Sequence, residues 1–450
     1  MSPWRECEHG ECAELGVPLD YADPTGAKIK LALARVVTAD PAKRIGNLFV
    51  NPGGPGAPGR DLGEYVAAVL PDAILDRFDI VAWDPRGSGA SSPVRCGRRL
   101  DYLFNGDTAP DDPAELGALQ ASAQRFVNDC VERSGDLLAR ISTRATVRDL
   151  DRLRAALGDE QLTYLGFSYG TYIGAMYASM FPDRVRALVL DGAVDPQVSA
   201  EDLSIEQANG FGESLQKFFE WCEQRDRCAF HHEGRPREAF AVLKREIDGN
   251  PIGVGVDRFG PVQLDVAVAA LLYGGDLGYR TLAGGLRDLE DGSTGALTEV
   301  VNVYLGRDDR GRYNSEWAAF IAISCADGPN LTVAAMEALQ RRAAVEAPDF
   351  GAGNVGLGYA CSFWPHPPDR SGPITFAAPT AAPIVVIGTT GDPATPLIWS
   401  EAMATQLQSG RLVTVTGTTH TSVLNGDRCL DRILVRYLVR KAAPSPDSRC

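Results

Sequence analysis

Gly166-Phe167-Ser168-Tyr169-Gly170 is a pentapeptide of the pattern G-x-S-x-G, placed between a short apolar run at 162–165 and a helix-like segment at 171–177. Small residues on both sides of the serine allow a sharp turn from a buried strand into a helix, which leaves the hydroxyl exposed at the end of the strand. This context predicts that Ser168 is a catalytic nucleophile. An ordinary serine in a strand-to-helix turn is the alternative.

A serine hydroxyl is a weak nucleophile until a neighbouring base removes its proton. The chain has five histidines, and only His420 follows a strand-like run, 411–415, and precedes a helix-like segment, 427–439. We therefore predict that His420 is the base. The other four lie among cysteines, charges or prolines and are predicted to be surface imidazoles: His9, His231, His232 and His366.

The acid that orients the histidine is expected between the serine and the histidine along the chain. Residues 383–388 have the pattern of a buried strand, and Asp392 follows in the loop 389–396. Ligands gather at the carboxyl ends of strands in open α/β sheets. Asp392 is therefore predicted to be the acid, and a turn aspartate before a proline is the alternative.

A glycine-rich loop is a candidate oxyanion hole. The strand-like residues 47–50 run directly into Asn51-Pro52-Gly53-Gly54-Pro55-Gly56. Consecutive glycines let backbone N–H groups approach a ligand oxygen without side-chain obstruction, and such donors stabilise the negative charge of the transition state. We predict that the N–H groups of Gly54 and Tyr169 form this hole. A structural Gly/Pro turn is the alternative.

Strand-like and helix-like segments alternate before residue 196, which predicts an α/β fold with a mostly parallel central sheet and helices on both faces. The predicted strands of this part are 29–37, 47–50, 80–83, 162–165 and 185–190. Amphipathic helices are predicted at 143–157, 201–223, 234–247, 263–274 and 333–346. We therefore divide the chain into a first core part at 1–196, a helical cap insertion at 197–375 and a second core part at 376–450.

Composition limits the partners of the protein. At 450 residues the chain exceeds one ordinary domain, and its net charge of −15 disfavours nucleic acid and anionic lipid. No apolar run approaches the length of a membrane span. The predicted serine chemistry needs neither a metal nor another cofactor, and a peptide or a small ester or amide is the expected substrate.

The ten cysteines are an even number, and several of them are near neighbours in the chain. Parity and grouping suggest disulfides and an oxidising compartment, although sequence alone does not fix the connectivity. A zinc site, which needs clustered ligands at short repeated spacings, is the rival interpretation. The suspected pairs are Cys7–Cys12, Cys96–Cys130, Cys222–Cys228, Cys325–Cys361 and Cys429–Cys450. A secreted or cell-envelope location follows, with the export signal removed, since residues 1–7 carry no apolar region; a cytoplasmic chain with reduced thiols is the alternative.

Four motifs carry a family resemblance: the loop 51–56, then Asp84-Pro85-Arg86-Gly87-Ser88-Gly89-Ala90-Ser91, then the serine pentapeptide, then Gly391-Asp392-Pro393-Ala394-Thr395-Pro396. In this order they resemble the secreted tripeptidyl aminopeptidases of actinobacteria, within the proline-iminopeptidase-like serine peptidases. The resemblance covers nearly the whole chain. It implies an α/β-hydrolase fold with a helical cap, and release of short peptides from free N-termini. It also matches Ser168, Asp392 and His420 to the catalytic triad of that family.

An aminopeptidase needs an anionic group for the free ammonium of its substrate, and Asp327 is our candidate within the predicted cap. Two other functions remain open. A carboxylesterase or lipase-like hydrolase would use the same triad without an ammonium acceptor. A non-catalytic binding module on the hydrolase fold is the remote alternative, because such modules usually lose a triad member and here all three are present.

Overall fold

The central sheet has ten strands in the computed structural model, which describes residues 1–38, 40–369 and 375–450. Across the sheet the strands follow the order β1-β2-β3-β5-β4-β6-β7-β8-β9-β10. Their bounds are Arg5–Cys7 (β1), Gly10–Pro18 (β2), Lys28–Val36 (β3), Gly46–Asn51 (β4), Phe78–Trp83 (β5), Leu162–Phe167 (β6), Val185–Asp191 (β7), Ile384–Thr389 (β8), Gly410–Val415 (β9) and Ser448–Arg449 (β10).

The sheet is antiparallel at one end and parallel over the rest. β1, β2, β3 and β5 pair antiparallel in turn, whereas every pairing from β5 through β4 to β10 is parallel. The parallel strands β5, β6 and β8 are buried at every residue, as expected for strands covered by helices on both faces. The prediction of an α/β fold with a mostly parallel sheet is confirmed. The sequence analysis missed β1, β2 and β10.

Seventeen α-helices lie in the described part of the chain. Their bounds are Arg60–Val69 (α1), Asp72–Leu75 (α2), Asp101–Phe104 (α3), Pro113–Ser134 (α4), Thr143–Ala156 (α5), Tyr169–Met180 (α6), Ala200–Glu223 (α7), Pro236–Gly249 (α8), Pro261–Leu272 (α9), Gly275–Glu290 (α10), Gly295–Leu305 (α11), Glu316–Asp327 (α12), Val333–Glu346 (α13), Gly351–Gly356 (α14), Tyr359–Ser362 (α15), Leu397–Gln406 (α16) and Arg428–Leu434 (α17). Short 3₁₀ helices lie at Pro41–Lys43, Gly135–Arg140, Pro182–Arg184, His232–Gly234 and Gly255–Asp257, and a π-helical turn at Val435–Val439 follows α17.

Helices α7 to α15 separate β7 from β8 and form the greater part of a helical layer next to the sheet. One hydrophobic cluster joins buried residues of these helices, such as Phe218 and Ile323, to Phe104 of α3 and Phe126 of α4. The chain between β5 and α5 therefore packs with the inserted helices. The division of the chain at 196 and 375 stays a prediction. The packing shows that the segment 94–141 belongs with the helical layer although it precedes residue 196.

Five disulfides join the ten cysteines, in the same pairs that their grouping suggests. Since every cysteine is described and none is free, no thiolate is left to bind zinc. Cys325–Cys361 ties α12 to α15, and Cys96–Cys130 ties the loop after β5 to α4. Within the described ranges, no helix has the length and apolarity that crossing a membrane requires.

Candidate active site

Ser168 occupies the tight turn between β6 and α6 that the pentapeptide predicts. Its backbone has φ 53° and ψ −127°, in a region that costs a residue with a side chain about 1–3 kcal/mol. Its N–H donates to the carbonyl of Asp191 at 2.9 Å, at the end of the neighbouring strand β7. The strained turn thus fixes the nucleophile candidate at the carboxyl edge of the sheet.

The flanking glycines are required by close backbone packing. A β-carbon on Gly166 would lie 2.5 Å from the carbonyl oxygen of Gly170, and one on Gly170 would lie 2.8 Å from Oδ1 of Asn51. Both distances are shorter than van der Waals contact allows. Side chains at these positions would push apart β6, α6 and the end of β4.

His420 lies in the loop after β9 and is paired with Asp392, which follows β8. The Nδ1 atom of His420 is 2.9 Å from Oδ1 and 3.0 Å from Oδ2 of Asp392. The side chain of Asp392 is fully buried and that of His420 is 10 % exposed. A carboxylate at Nδ1 holds the proton there, which leaves Nε2 as the acceptor that a general base needs.

Asp392 is held in its charged form by several donors. Burial alone would raise its pKa, but the facing His420 and the hydrogen bonds from His420 and Thr395 keep the pKa below its usual value. The donors from the acid loop are the N–H groups of Ala394 and Thr395 and the Thr395 hydroxyl, each at 2.9 Å. An ionised acid of this kind can orient an imidazole and stabilise an imidazolium.

The three predicted triad positions follow β6, β8 and β9 at the same carboxyl edge of the sheet. The N–H of Ser168 donates to the carbonyl of Asp191. Gly192, which follows Asp191, lies against Asp392, since a β-carbon on Gly192 would be 3.4 Å from Oδ2 of Asp392. Asp191, the last residue of β7, and Gly192, the residue after it, therefore lie between the serine turn and the Asp392–His420 pair. The sheet order β6-β7-β8-β9 places the three loops side by side.

The glycine-rich loop after β4 lies directly against the serine turn. A β-carbon on Gly53 would be 3.0 Å from the amide nitrogen of Tyr169, and the N–H of Gly53 donates to Oδ1 of Asn51 at 3.0 Å. Gly54 follows with φ 105°, a conformation that favours glycine. On its other side the loop meets α12, since a β-carbon on Gly56 would lie 2.6 Å from the amide nitrogen of Phe320. Gly54 as an oxyanion donor remains a prediction.

Comparisons with known proteins agree with this arrangement. Residues 46–232 match the family model of the alpha/beta hydrolase fold, and residues 347–450 match that of the TAP-like protein. The serine protease Hip1 of Mycobacterium tuberculosis is 36% identical over 98% of this chain and 87% of that protein. The chain belongs to the TAP-like family of α/β hydrolases. The resemblance inferred from the four motifs is confirmed, and so is the fold that it implied.

Two further relatives show the range of names within the family. Carboxylesterase B of Mycobacterium tuberculosis is 36% identical over 99% of this chain and 87% of that protein. The tripeptidyl aminopeptidase of Streptomyces lividans is 30% identical over 90% of this chain and 76% of that protein. In this TAP-like hydrolase the first matched segment contains the serine turn and the second contains Asp392 and His420.

Aromatic side chains of the helical layer extend from the histidine along one side of the site. The ring of Tyr273 stands edge-on to the imidazole of His420, with centroids 4.8 Å apart. Successive ring contacts continue to Tyr304 at 6.2 Å, Trp317 at 6.1 Å and Phe320 at 5.2 Å. These rings come from the ends or faces of α9, α11 and α12. The sequence analysis missed them because aromatic residues on helices give no sign of which face meets the sheet.

Asp191 is a second buried carboxyl group beside the triad positions. Its Oδ2 accepts the N–H groups of Ser422 and Val423, both at 2.8 Å, and so holds the loop that carries His420. Burial raises the pKa of Asp191 to about 6, against the influence of those two N–H donors. The position of Asp191 at the end of an apolar strand could have marked it as a candidate site residue, but the sequence analysis did not use this feature.

Asp327 lies at the end of α12, with its carboxylate bonded to Thr143. It accepts the Thr143 N–H at 2.8 Å and also the Thr143 hydroxyl, which in turn contacts the hydroxyl of Tyr169. Burial raises the pKa of Asp327 to about 6. The hydroxyl of Thr143 thus links Asp327 to Tyr169, the predicted oxyanion residue. The role of Asp327 toward a substrate ammonium stays a prediction.

Proposed function

We propose that this TAP-like hydrolase is a serine peptidase that forms an acyl-enzyme and releases short peptides from free N-termini, as a tripeptidyl or related aminopeptidase. The observation that carries the proposal is the buried Asp392–His420 pair beside a serine in a strained strand-to-helix turn. The relatives named serine protease and tripeptidyl aminopeptidase support the same reaction class.

In the proposed mechanism, Nε2 of His420 takes the hydroxyl proton as Oγ of Ser168 attacks the amide carbonyl. The resulting imidazolium is stabilised by Asp392, and it then protonates the leaving amine as the C–N bond breaks. Water, deprotonated by the same imidazole, attacks the acyl-enzyme and regenerates the serine. The N–H groups of Gly54 and Tyr169 are assigned as the donors that stabilise the negative charge on the carbonyl oxygen. In such sites each donor contributes roughly 2.7–4 kcal/mol of transition-state stabilisation.

We assign the binding of the substrate ammonium to a carboxylate of the helical layer, and Asp327 is the candidate. Its hydrogen bonds to Thr143, whose hydroxyl contacts that of Tyr169, support this assignment. The neighbouring aromatic row from Tyr273 to Phe320 offers an apolar surface for the side chains of that peptide. Peptides with apolar residues are therefore the preferred substrates in this proposal.

A pair of substrates tests the aminopeptidase assignment. A chromogenic tripeptidyl amide with a free N-terminus is compared with its N-acetylated form by kcat/KM, and the free form is expected to be preferred. In Asp327→Asn, this preference should fall roughly tenfold or more, because a charged hydrogen bond is lost. The acetylated substrate supplies the internal control. Equal rates for both forms in the unaltered protein would exclude the aminopeptidase assignment.

A carboxylesterase is the second candidate function. It is favoured by the relative named Carboxylesterase B, whose identity to this chain equals that of the serine protease. Both activities would use Ser168. Matched amide and ester substrates with the same acyl group separate them, since an esterase would turn over the ester alone and would not distinguish a free from a blocked amine.

We also assign the enzyme to a secreted or cell-envelope location. Five disulfides are typical of proteins that fold in an oxidising compartment. Peptides of the surroundings are then the natural substrates. Fractionation of cells that produce the protein, with an activity assay of each fraction, tests this location. Activity confined to the cytoplasmic fraction would contradict it.

A further inference from the structure

A cavity on the helical layer is lined by many cationic side chains. It has a volume of about 680 Å³ and lies between the loop after β5 and helix α4. The loop contributes three arginines and the helix two, although the whole chain carries a net charge of −15. The five are Arg95, Arg98, Arg99, Arg125 and Arg133.

These guanidinium groups have no carboxylate partners among the described residues. The ion pairs of the described ranges join other arginines to acids, as in Arg86–Asp149 at 2.7 Å, and the guanidinium of Arg125 lies over the ring of Tyr102 at 4.0 Å. One acid, Asp129, lines the cavity, and its Oδ2 accepts a hydrogen bond from the hydroxyl of Tyr102 at 3.2 Å. All five arginines are exposed, so solvent screens their mutual repulsion, and an entering anion would gain attraction from several guanidinium groups at once.

The backbone beneath the arginines is fixed from both sides. The disulfide Cys96–Cys130 is fully buried and joins the loop to α4. Next to it, the N–H of Arg95 donates to the hydroxyl of Ser134 at 2.7 Å, and that hydroxyl donates to the carbonyl of Arg95 at 2.9 Å. The loop is therefore preorganised, and preorganisation lowers the cost of binding a ligand.

We propose that this cavity is a binding site for a phosphate-bearing polyanion. Guanidinium groups present paired N–H donors that match phosphate oxygens, which makes arginine the preferred side chain for phosphate recognition. The volume is in the range of small-ligand sites. Ser315, which precedes the first residue of α12, also lines the cavity together with Asn314, and both offer polar side chains.

The same phosphate chemistry can come from a free polyphosphate or from phospholipid headgroups, and the two sources are distinguished by experiment. The residues of the cavity are separate from Ser168, Asp392 and His420, so the ligand would not be the substrate. The net negative charge of the rest of the protein opposes an extended polyanion, whether a nucleic acid or an anionic membrane, so a free polyphosphate is the favoured source.

Calorimetric titration with inorganic pyrophosphate tests the site. The variant Arg98→Gln/Arg133→Gln removes one charge from each wall of the cavity. The control variant Arg245→Gln/Arg432→Gln removes the same charge from exposed positions on α8 and α17. Saturable binding is expected for the unaltered chain and for the control, with binding roughly tenfold or more weaker in the cavity variant. Thermal unfolding of each variant verifies the fold.

Vesicle flotation supplies the second arm, with phosphatidylglycerol vesicles against phosphatidylcholine vesicles. Pyrophosphate binding without flotation identifies a free anion, and flotation on phosphatidylglycerol that requires Arg98 and Arg133 identifies a membrane headgroup. Either result supports the site. Absence of saturable binding to both probes would overturn the proposal. So would equal weakening in the cavity and control variants, because that result would describe a general charge effect.

Discussion

Tyr273 of the helical layer contacts His420 of the core in two ways. Its carbonyl accepts the backbone N–H of His420 at 3.1 Å, and its ring meets the imidazole edge-on at an interplanar angle of 85°. The helical layer therefore helps to position the proposed general base. A change at Tyr273 is expected to affect catalysis through the orientation of the imidazole.

Replacement of Tyr273 tests this contact. Tyr273→Leu should lower kcat roughly three- to tenfold, because an aromatic pair of this geometry is worth about 0.5–1.5 kcal/mol. Tyr273→Phe keeps the ring and serves as the control, with kcat near that of the unaltered protein. Steady-state kinetics on a peptidyl amide make the measurement. Equal losses in the two variants would assign the effect to the hydroxyl instead.

Asp392→Asn should keep the fold and remove most of the activity. An amide in place of the carboxylate favours the wrong tautomer of His420 and cannot stabilise the imidazolium, which lowers kcat by roughly 10⁴-fold in serine triads. Asp226→Asn, at an exposed position, is the matched control and should be unaffected. A loss smaller than about tenfold would remove Asp392 from the triad.

The loop after β4 is expected to tolerate no side chain at Gly53. A β-carbon there would lie 2.6 Å from the carbonyl of Phe167 and 3.0 Å from the amide of Tyr169, so Gly53→Ala should displace an oxyanion donor. A roughly 10²- to 10³-fold fall in kcat is expected. Gly158→Ala is the control, since Gly158 also has a positive φ of 83° but has no neighbour within 4 Å of the added carbon. Similar losses in both variants would indicate backbone strain alone.

Asp191 should make stability depend on pH between about 4 and 6. Burial raises its pKa from 3.8 to about 6, so the folded state binds a proton more tightly than the unfolded state. The stabilisation from that proton is complete below the unfolded pKa and is lost as the pH rises through about 6. The change is of the order of 3 kcal/mol for a fully buried group.

Urea unfolding at a series of pH values measures this effect. Asp191→Asn does not titrate, so its free energy of unfolding should vary less between pH 4 and 6 than that of the unaltered protein. Asp226→Asn, whose carboxyl is exposed, should retain the original pH dependence. Parallel curves for all three proteins would show that Asp191 has an ordinary pKa.

The sequence was sufficient for the features that depend on local patterns. The strand before Ser168 and the strand before Asp392 are continuous apolar runs, and the loops after them contain the residues whose chemistry is proposed. Because parallel strands align their carboxyl ends, strand order in the chain was enough to predict that these loops would be close together.

Other features depend on which surfaces meet in the folded chain, and local patterns do not reveal them. The packing of Phe126 against the inserted helices joins segments far apart in sequence, so α4 was not placed with the helical layer. Tyr273 reaches His420 through tertiary contact alone. Asp327 was selected as an isolated carboxylate, whereas the structure shows it bonded to Thr143. The arginine-lined cavity likewise forms where the loop after β5 packs against α4, two segments that the disulfide Cys96–Cys130 joins.

The central claim is that Ser168 is the nucleophile of an acyl-transfer reaction. The most direct measurement is reaction with a serine-directed phosphonate or sulfonyl fluoride, followed by mass-spectrometric mapping of the label, with Ser168→Ala as the control. We expect one equivalent of label on Ser168 together with complete loss of turnover, and neither labelling nor turnover in the variant. Label on a different residue, or undiminished turnover in Ser168→Ala, would contradict the account.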